Sequence, residues 1–314
     1  MATYNKQKLA EQANEIGFVR DTLEKVFRLT EILRFMESDP LLSASLALKG
    51  GTAINLTVFK MPRLSVDIDL DYARDNSLDD MMKERETLTD IIKLYMAAEG
   101  YELSIKSKSY HSLDSFVYTF TNSAGVRDNI KIEINYSMRC HVFPIAARAI
   151  ETMNLFSDVN VLSLAPLEIF SSKIVALLTR TAARDLYDIN NMLVFRLFDE
   201  SEEALLRRCS VFYYAVGNSE PPEDIDISRI DSLTTHKIRT DLQPLLRKRE
   251  RFDLAAAQNR IKDYLMNLLV LDGNEQQFLE AFRQGMYIPE LLFDGEKLEN
   301  IRNHPMAMWK LQSR

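Results

Sequence analysis

Three aspartates, Asp67, Asp69 and Asp71, stand at every second position of the run SVDIDLD. Read as a β-strand, the run alternates faces, so the three carboxylates share one side and Val66, Ile68 and Leu70 the other. Alternate residues on a strand lie roughly 7 Å apart, because the rise is about 3.3 Å per residue. Carboxylates that close repel unless a positive charge lies between them. A magnesium or manganese ion answers that need, taking hard oxygen ligands from one or two carboxylates and from substrate phosphates. Asp67 and Asp69 are therefore the candidate metal ligands. Asp71, at the end of the run, is expected to be dispensable. Upstream, Gly50-Gly51-Thr52 reads as a turn opening a short helix from Ala53 to Phe59. Glycine lets another group approach the backbone, and N–H groups at a helix start can cradle a phosphate. A phosphate seat close in sequence to a metal seat points to nucleotide chemistry. Taken singly, paired aspartates are common on exposed strands and Gly-Gly is often only a turn. Their connection through the apolar run Leu46 to Leu48, the turn, the helix and an acidic strand with one apolar face favours the functional reading.

A second constellation lies in PLEIFSSKIVALLTRTAARDLYDIN, residues 166 to 190. On one continuous helix Lys173, Arg180, Arg184 and Asp188 fall at about 0°, −20°, 20° and 60°. Lys173 opens a helix whose other face is Ile174, Ala176, Leu177 and Leu178. Arg180 and Arg184 form an i,i+4 like-charge pair, unfavourable on a bare helix. The pair makes sense if an anion such as a triphosphate or an RNA backbone lies against it. The structural alternative pairs Arg184 with Asp188. On that face no acid matches Lys173 and Arg180 before Asp188. A third cationic run, Arg247, Lys248, Arg249 and Arg251, lies near His236, Lys237 and Arg239 in the chain. It reads either as a solvated helix face or as an RNA contact, and no aromatic stacking platform interleaves it.

The elements that must position these groups are legible as periodicities. Residues 6 to 37 carry apolar side chains at helical spacing, and Ser77 to Ala98 reads as a second amphipathic helix ending at Gly100. Three strand-like runs follow, Tyr101 to Lys106, Ser115 to Thr121 and Ile130 to Tyr136. In the last, IKIEINY, the three isoleucines share one face, and Lys131, Glu133 and Asn135 share the other. Residues 1 to 150 are expected to form a mixed α/β domain, and residues 151 to 314 a mostly helical one. Pro166 to Leu193 is strongly helical, with a break expected near Thr181. A softer boundary falls at Asn218 to Asp226, and helical runs recur at Asp253 to Leu269 and Glu275 to Gly285.

The composition narrows the function classes. The length of 314 residues is enough for two domains. No apolar run reaches membrane-spanning length, and the N-terminal stretch is polar, so neither a membrane span nor a signal peptide is expected. Two cysteines give no disulfide framework, and a reducing cytoplasmic setting is expected. The four histidines show no metal-like spacing, which speaks against a zinc enzyme. With a net charge of −7, the chain would bind nucleic acid only through a local basic patch.

Taken together, these motifs resemble the AbiEii/AbiGii-type nucleotidyltransferase toxin family, within the DNA polymerase β-like superfamily. Gly50, Gly51 and Thr52 look like its first element, and Asp67-Ile68-Asp69 its second. Arg63-Leu64-Ser65 stands where the family tends to carry Arg-x-Ser. Glu133 is the candidate third carboxylate; it is a longer acid there, which implies an indirect or weak metal ligand. Lys173, Arg180 and Arg184-Asp185-Leu186-Tyr187-Asp188 match the family's helical signature. Pro289 to Phe293 and His304 to Lys310 resemble its ending. The resemblance implies an α+β fold, in which a polymerase β-like domain with a mixed sheet precedes a mostly α-helical C-terminal domain. It implies a toxin of a bacterial toxin–antitoxin or abortive-infection system that transfers NMP from an NTP to an acceptor. In some members that acceptor is the tRNA 3′ end, which stops translation. Mg²⁺ or Mn²⁺ is the implied cofactor, and a genetically linked antitoxin, not necessarily in direct contact, the implied partner. Asp67, Asp69, Glu133 and Lys173 are the implied catalytic residues. Gly50, Gly51, Thr52, Ser65, Arg180, Arg184, Asp188 and Lys49 are the implied nucleotide contacts. Two rivals are an NTP-binding protein acting by protein contact and a nucleotidyltransferase acting on a small molecule.

Overall fold

The computed structural model describes residues 4–153, 155, 159–217 and 225–312. The expected boundary segment at Asn218 to Asp226 lies largely outside the described residues. Two compact units are present. The first comprises Met1–Arg139, Ile145–Ser163 and Pro244–Glu250, and the second Cys140–Pro144, Leu164–Gln243 and Arg251–Arg314. The chain passes residue 150 inside the first unit, because the strands on either side of it pair into that unit's sheet.

Those strands are β1 (Leu46–Lys49), β2 (Asp67–Tyr72), β3 (Glu102–Leu103), β4 (Lys108–Ser109), β5 (Leu113–Thr121), β6 (Arg127–Asn135), β7 (Ala146–Ala149) and β8 (Asn160–Ser163). Among the described residues they form one eight-stranded sheet in the order β3-β5-β6-β2-β1-β8-β7, with β4 also on β5. The sheet is mixed: β2 runs parallel to β6, and β1 to β8, while the other pairs are antiparallel. Ile68, Leu70 and Tyr72 of β2, Ile130, Ile132 and Ile134 of β6, and Phe116, Tyr118 and Phe120 of β5 share its buried face. Burying one such side chain is worth about 1.5–3 kcal/mol, so this face fixes the register. With the register fixed, every interleaved polar residue is committed to the other face.

The first unit's helices are α1 (Lys6–Ile16), α2 (Arg20–Ser38), α3 (Pro40–Ser45), α4 (Gly50–Ala53) and α5 (Leu78–Ala98). The helical stretch expected over residues 6 to 37 is two helices, because Gly17 takes the left-handed conformation, φ 82°, and closes α1. α4 continues as a π-helical turn, Ile54–Val58. Ser77 caps α5, its hydroxyl accepting from the Asp80 N–H at 3.1 Å. The expected strand at Tyr101 to Lys106 shrinks to the two residues of β3.

The second unit is helical: α6 (Pro166–Arg180), α7 (Ala183–Val194), α8 (Glu200–Gly217), α9 (Thr235–Lys237), α10 (Leu254–Leu268), α11 (Gly273–Arg283), α12 (Gly295–Ile301) and α13 (Pro305–Gln312). α6 packs on α7 and α8, and α7 on α10. Thr181, left-handed at φ 51°, breaks α6 from α7 where the break was expected. Glu168, fully buried on α6, accepts the N–H groups of Val142 at 3.0 Å and Phe143 at 3.2 Å, and the Tyr213 hydroxyl. These bonds fasten residues 140–144 to the helices. No helix among the described residues is long and apolar enough to cross a membrane.

Candidate active site

The polar face of the first unit's sheet gathers the sequence's acidic candidates. In β2 the burial alternates as expected, with Asp67 and Asp69 half-buried between the core residues Ile68 and Leu70. β6 lies beside β2 in parallel, Lys131 abreast of Asp67 and Glu133 abreast of Asp69. Glu133 therefore sits on the strand next to Asp67, as expected, and faces the same way. β1 flanks β2 on the other side, with Lys49 abreast of Asp69 and Ala47 abreast of Asp71.

Two lysines contact the outer acids of this face. Lys49 forms an ion pair with Asp71, and Lys131 forms one with Glu133 at 2.8 Å. Lys49, expected to touch a phosphate, thus has its ammonium on a carboxylate. Asp71 is 3 % exposed and holds Lys49, so it is a structural partner and not a dispensable strand end.

The glycine turn abuts the acids directly. Gly50 has φ +68°, and a Cβ placed there would lie 2.5 Å from Asp69 Oδ2. A Cβ on Gly51 would lie 2.8 Å from an Arg63 guanidinium nitrogen and 3.1 Å from Ser65 Oγ. The positive φ and the carboxylate contact reserve position 50 for glycine, and at position 51 a side chain would have to displace the Arg63 guanidinium. Beneath the turn the polar groups are spent on holding it. Thr52, fully buried, donates its hydroxyl to the Asp67 carbonyl and lies 2.9 Å from the Ser65 hydroxyl. Asn55 donates to the Gly51 carbonyl at 2.7 Å. Arg63, 1 % exposed, donates to the Leu64 carbonyl at 2.9 Å. Thr52 and Ser65 are thus built into the support that sets the turn against the acids.

Asp67 and Asp69 fit a hard divalent ion as a two-carboxylate donor pair on one half-open face. No three His, Cys, Asp or Glu side chains among the described residues converge as a metal-binding group. Glu133 shares the face without joining that pair.

The second constellation differs from its expected form. α6 begins at Pro166, so Lys173 lies mid-helix and not at its start. Arg180 ends α6 and Arg184 lies on α7, so the two are not an i,i+4 pair on one helix and the common-face angles do not apply. Lys173, 7 % exposed, donates to Asp185 at 2.6 Å and forms an ion pair with Asp188 at 3.2 Å. Arg180 also binds Asp185, at 2.8 Å. Asp185 is the acidic partner missing from the sequence argument. Burial pushes its carboxyl up, but Lys173 and Arg180 outweigh that and hold it at about 2.

The third cationic run is not a helix face. Arg247 stacks over Phe18 at 5.1 Å and its guanidinium lies 3.4 Å from the Met61 carbonyl. Lys248 and Arg249 are exposed, and the backbone N–H of Lys248 donates to Gly17 at 2.7 Å. These three belong to the first unit, whereas His236, Lys237, Arg239 and Arg251 belong to the second.

A family model of the nucleotidyl transferase AbiEii toxin of type IV toxin–antitoxin systems matches residues 33–283. The chain belongs to the AbiEii family. It is a nucleotidyltransferase toxin by that membership, and both constellations lie inside the matched span. The tail at Pro289 to Lys310 lies beyond it. Among solved structures, the fold is similar to that of MenT4, a nucleotidyltransferase toxin from Mycobacterium tuberculosis H37Rv. The likeness has a TM-score of 0.64 at 18% identity, and covers 97% of this chain and 99% of that one. No curated protein sequence matches.

Three functional neighbours escaped the sequence argument. Lys131 shares the polar face of IKIEINY, and its spacing of two from Glu133 is the signal for the ion pair. Asp185 belongs to the AbiEii signature, and on one continuous helix it would lie about 120° from Lys173. Arg63 was visible as the Arg of Arg-x-Ser, and nothing in the sequence indicated that it packs under Gly51.

Proposed function

We propose that this AbiEii toxin transfers NMP from an NTP to the 3′ end of tRNA, with Asp67 and Asp69 as the ligands of a catalytic metal. The observation that carries the metal site is the pair of half-open aspartates on one strand face, abutted by a glycine turn whose Gly50 has no room for a Cβ beside Asp69. Magnesium or manganese bound there would supply the charge that stabilises the attacking and leaving oxygens of an in-line displacement at the α-phosphate. Gly50 and Gly51 bring bare backbone beside the carboxylates, where an NTP phosphate can approach. Thr52 and Ser65 fix that turn to β2 and so hold the distance between phosphate seat and acids. In the second unit, Lys173 and Arg180 are assigned phosphate-charge stabilisation, with Asp185 and Asp188 orienting the ammonium.

The tRNA acceptor rests on family resemblance together with exposed cations at Lys248 and Arg249 on an acidic chain. NTP and tRNA place the reaction in the cytoplasm, and a linked antitoxin controls the toxin there. The test incubates the protein with each labelled NTP, Mg²⁺ and total RNA. Label in tRNA, abolished by Asp67→Ala with the thermal melt nearly unchanged, is the expected result. Full transfer by Asp67→Ala overturns the metal site. Growth arrest that depends on Asp67, with no label in RNA, moves the acceptor to a small molecule or a protein.

A further inference from the structure

Glu133 is placed as a third carboxylate should be, abreast of Asp69 on the adjoining parallel strand. It is nonetheless outside any converged metal-binding group among the described residues. A competing partner lies two residues back on its own strand. Lys131 and Glu133 point to the same face, and the Lys131 ammonium holds Glu133 Oε2 at 2.8 Å. Lys131 is also the residue abreast of Asp67, so it borders the proposed metal seat on the same strand face. Their side chains are 37 % and 27 % exposed, so both are able to move and neither is needed to fill the core.

We infer that Lys131 withholds Glu133 from the metal, leaving Asp67 and Asp69 to bind the ion weakly until NTP phosphates complete its shell. The inference rests on the reading of Asp67 and Asp69 as metal ligands. Its logic is electrostatic. A carboxylate engaged by an ammonium must break that bond before it ligates, and a positive charge on the same strand face repels a divalent ion. Magnesium is commonly held by one or two carboxylates plus substrate phosphates, which is the shell this arrangement leaves. Metal and nucleotide then load together, and the toxin without NTP carries little metal. Lys131 acts as a positioning residue, through Glu133 and through its charge.

The test is Mn²⁺ titration of the full chain without nucleotide, read by electron paramagnetic resonance and so independent of turnover. Wild type is expected to bind weakly. Lys131→Met is expected to bind roughly tenfold tighter, by gain of a ligand and loss of a repelling charge. Lys131→Gln, which keeps a polar side chain, should show the same direction and guards against a folding defect in the first variant. Lys131→Met combined with Glu133→Gln should lose most of the gain, because the released ligand is then gone. Affinity in both Lys131 variants equal to wild type overturns the inference while leaving the metal site standing. So does a double variant that keeps the whole gain, since Glu133 then plays no part. Mn²⁺ binding unaffected by Asp67→Asn in every background overturns the metal site, and the inference with it.

Discussion

Gly50 carries the sharpest constraint of any single residue in the site. Its φ of +68° already disfavours any side chain, and a Cβ would meet Asp69 Oδ2 at 2.5 Å. Gly50→Ala is expected to cost at least about 1 kcal/mol of stability and most of the transfer activity. Thermal melts and a labelled-NTP assay on the same preparation check both. Lys173 poses the opposite case, a charge that stability and chemistry both claim. It lies 7 % exposed between Asp185 and Asp188, which are 0 % and 1 % exposed. Lys173→Met takes a buried cation from between two interior carboxylates, leaving Arg180 on Asp185, and is expected to destabilise the fold by about 3 kcal/mol. Loss of activity in that variant is therefore meaningful only at temperatures where it remains folded. A wild-type melting temperature would show that the ion pairs do not support the fold.

At the scale of elements, the α6–α7 junction is tied by charge as well as packing. Asp185 titrates near 2 in the fold against an ordinary 3.8, so the unfolded chain binds more protons between those values. Stability from this carboxylate is complete above about pH 4 and lost as the pH falls towards 2. Arg180→Met removes one lowering partner, so acid unfolding should begin at higher pH; denaturant melts from pH 5 to pH 2 read the shift. The basic run after α9 makes a separate claim. Arg247 is committed to Phe18, so its removal tests packing and not RNA. Lys248→Ala with Arg249→Ala is the cleaner variant. It should weaken transfer to RNA several-fold, spare NTP binding and flatten the salt dependence by up to about two units of slope. Transfer to RNA unchanged by the pair rejects this run as the acceptor path.

At the scale of the molecule, the chain is divided by kind: a mixed sheet in one unit and helices in the other, with chain crossings at 139, 144, 163, 243 and 250. Short returns such as Cys140–Pro144, fastened by Glu168, are what make the boundary interleaved and not a single cut near residue 150. A net charge of −7 resists non-specific nucleic-acid binding, so any RNA affinity must come from local clusters. Affinity for bulk RNA that survives high salt would contradict that expectation.

The sequence by itself determined the alternation of β2 and β6, the glycine turn and the family signature. Each is a local pattern, set by the two-residue period of a strand or by side-chain size at a tight turn. It also located the break near Thr181, in a helical stretch longer than most globular helices. Only the tertiary structure decided the partners of the charges. Strand pairing brought the Lys49 ammonium onto Asp71 and set Lys131 abreast of Asp67, and the fold at Thr181 swung α7 round to bring Asp185 onto Lys173. Pairings of that kind depend on which elements lie side by side, and no local period in the chain encodes that adjacency.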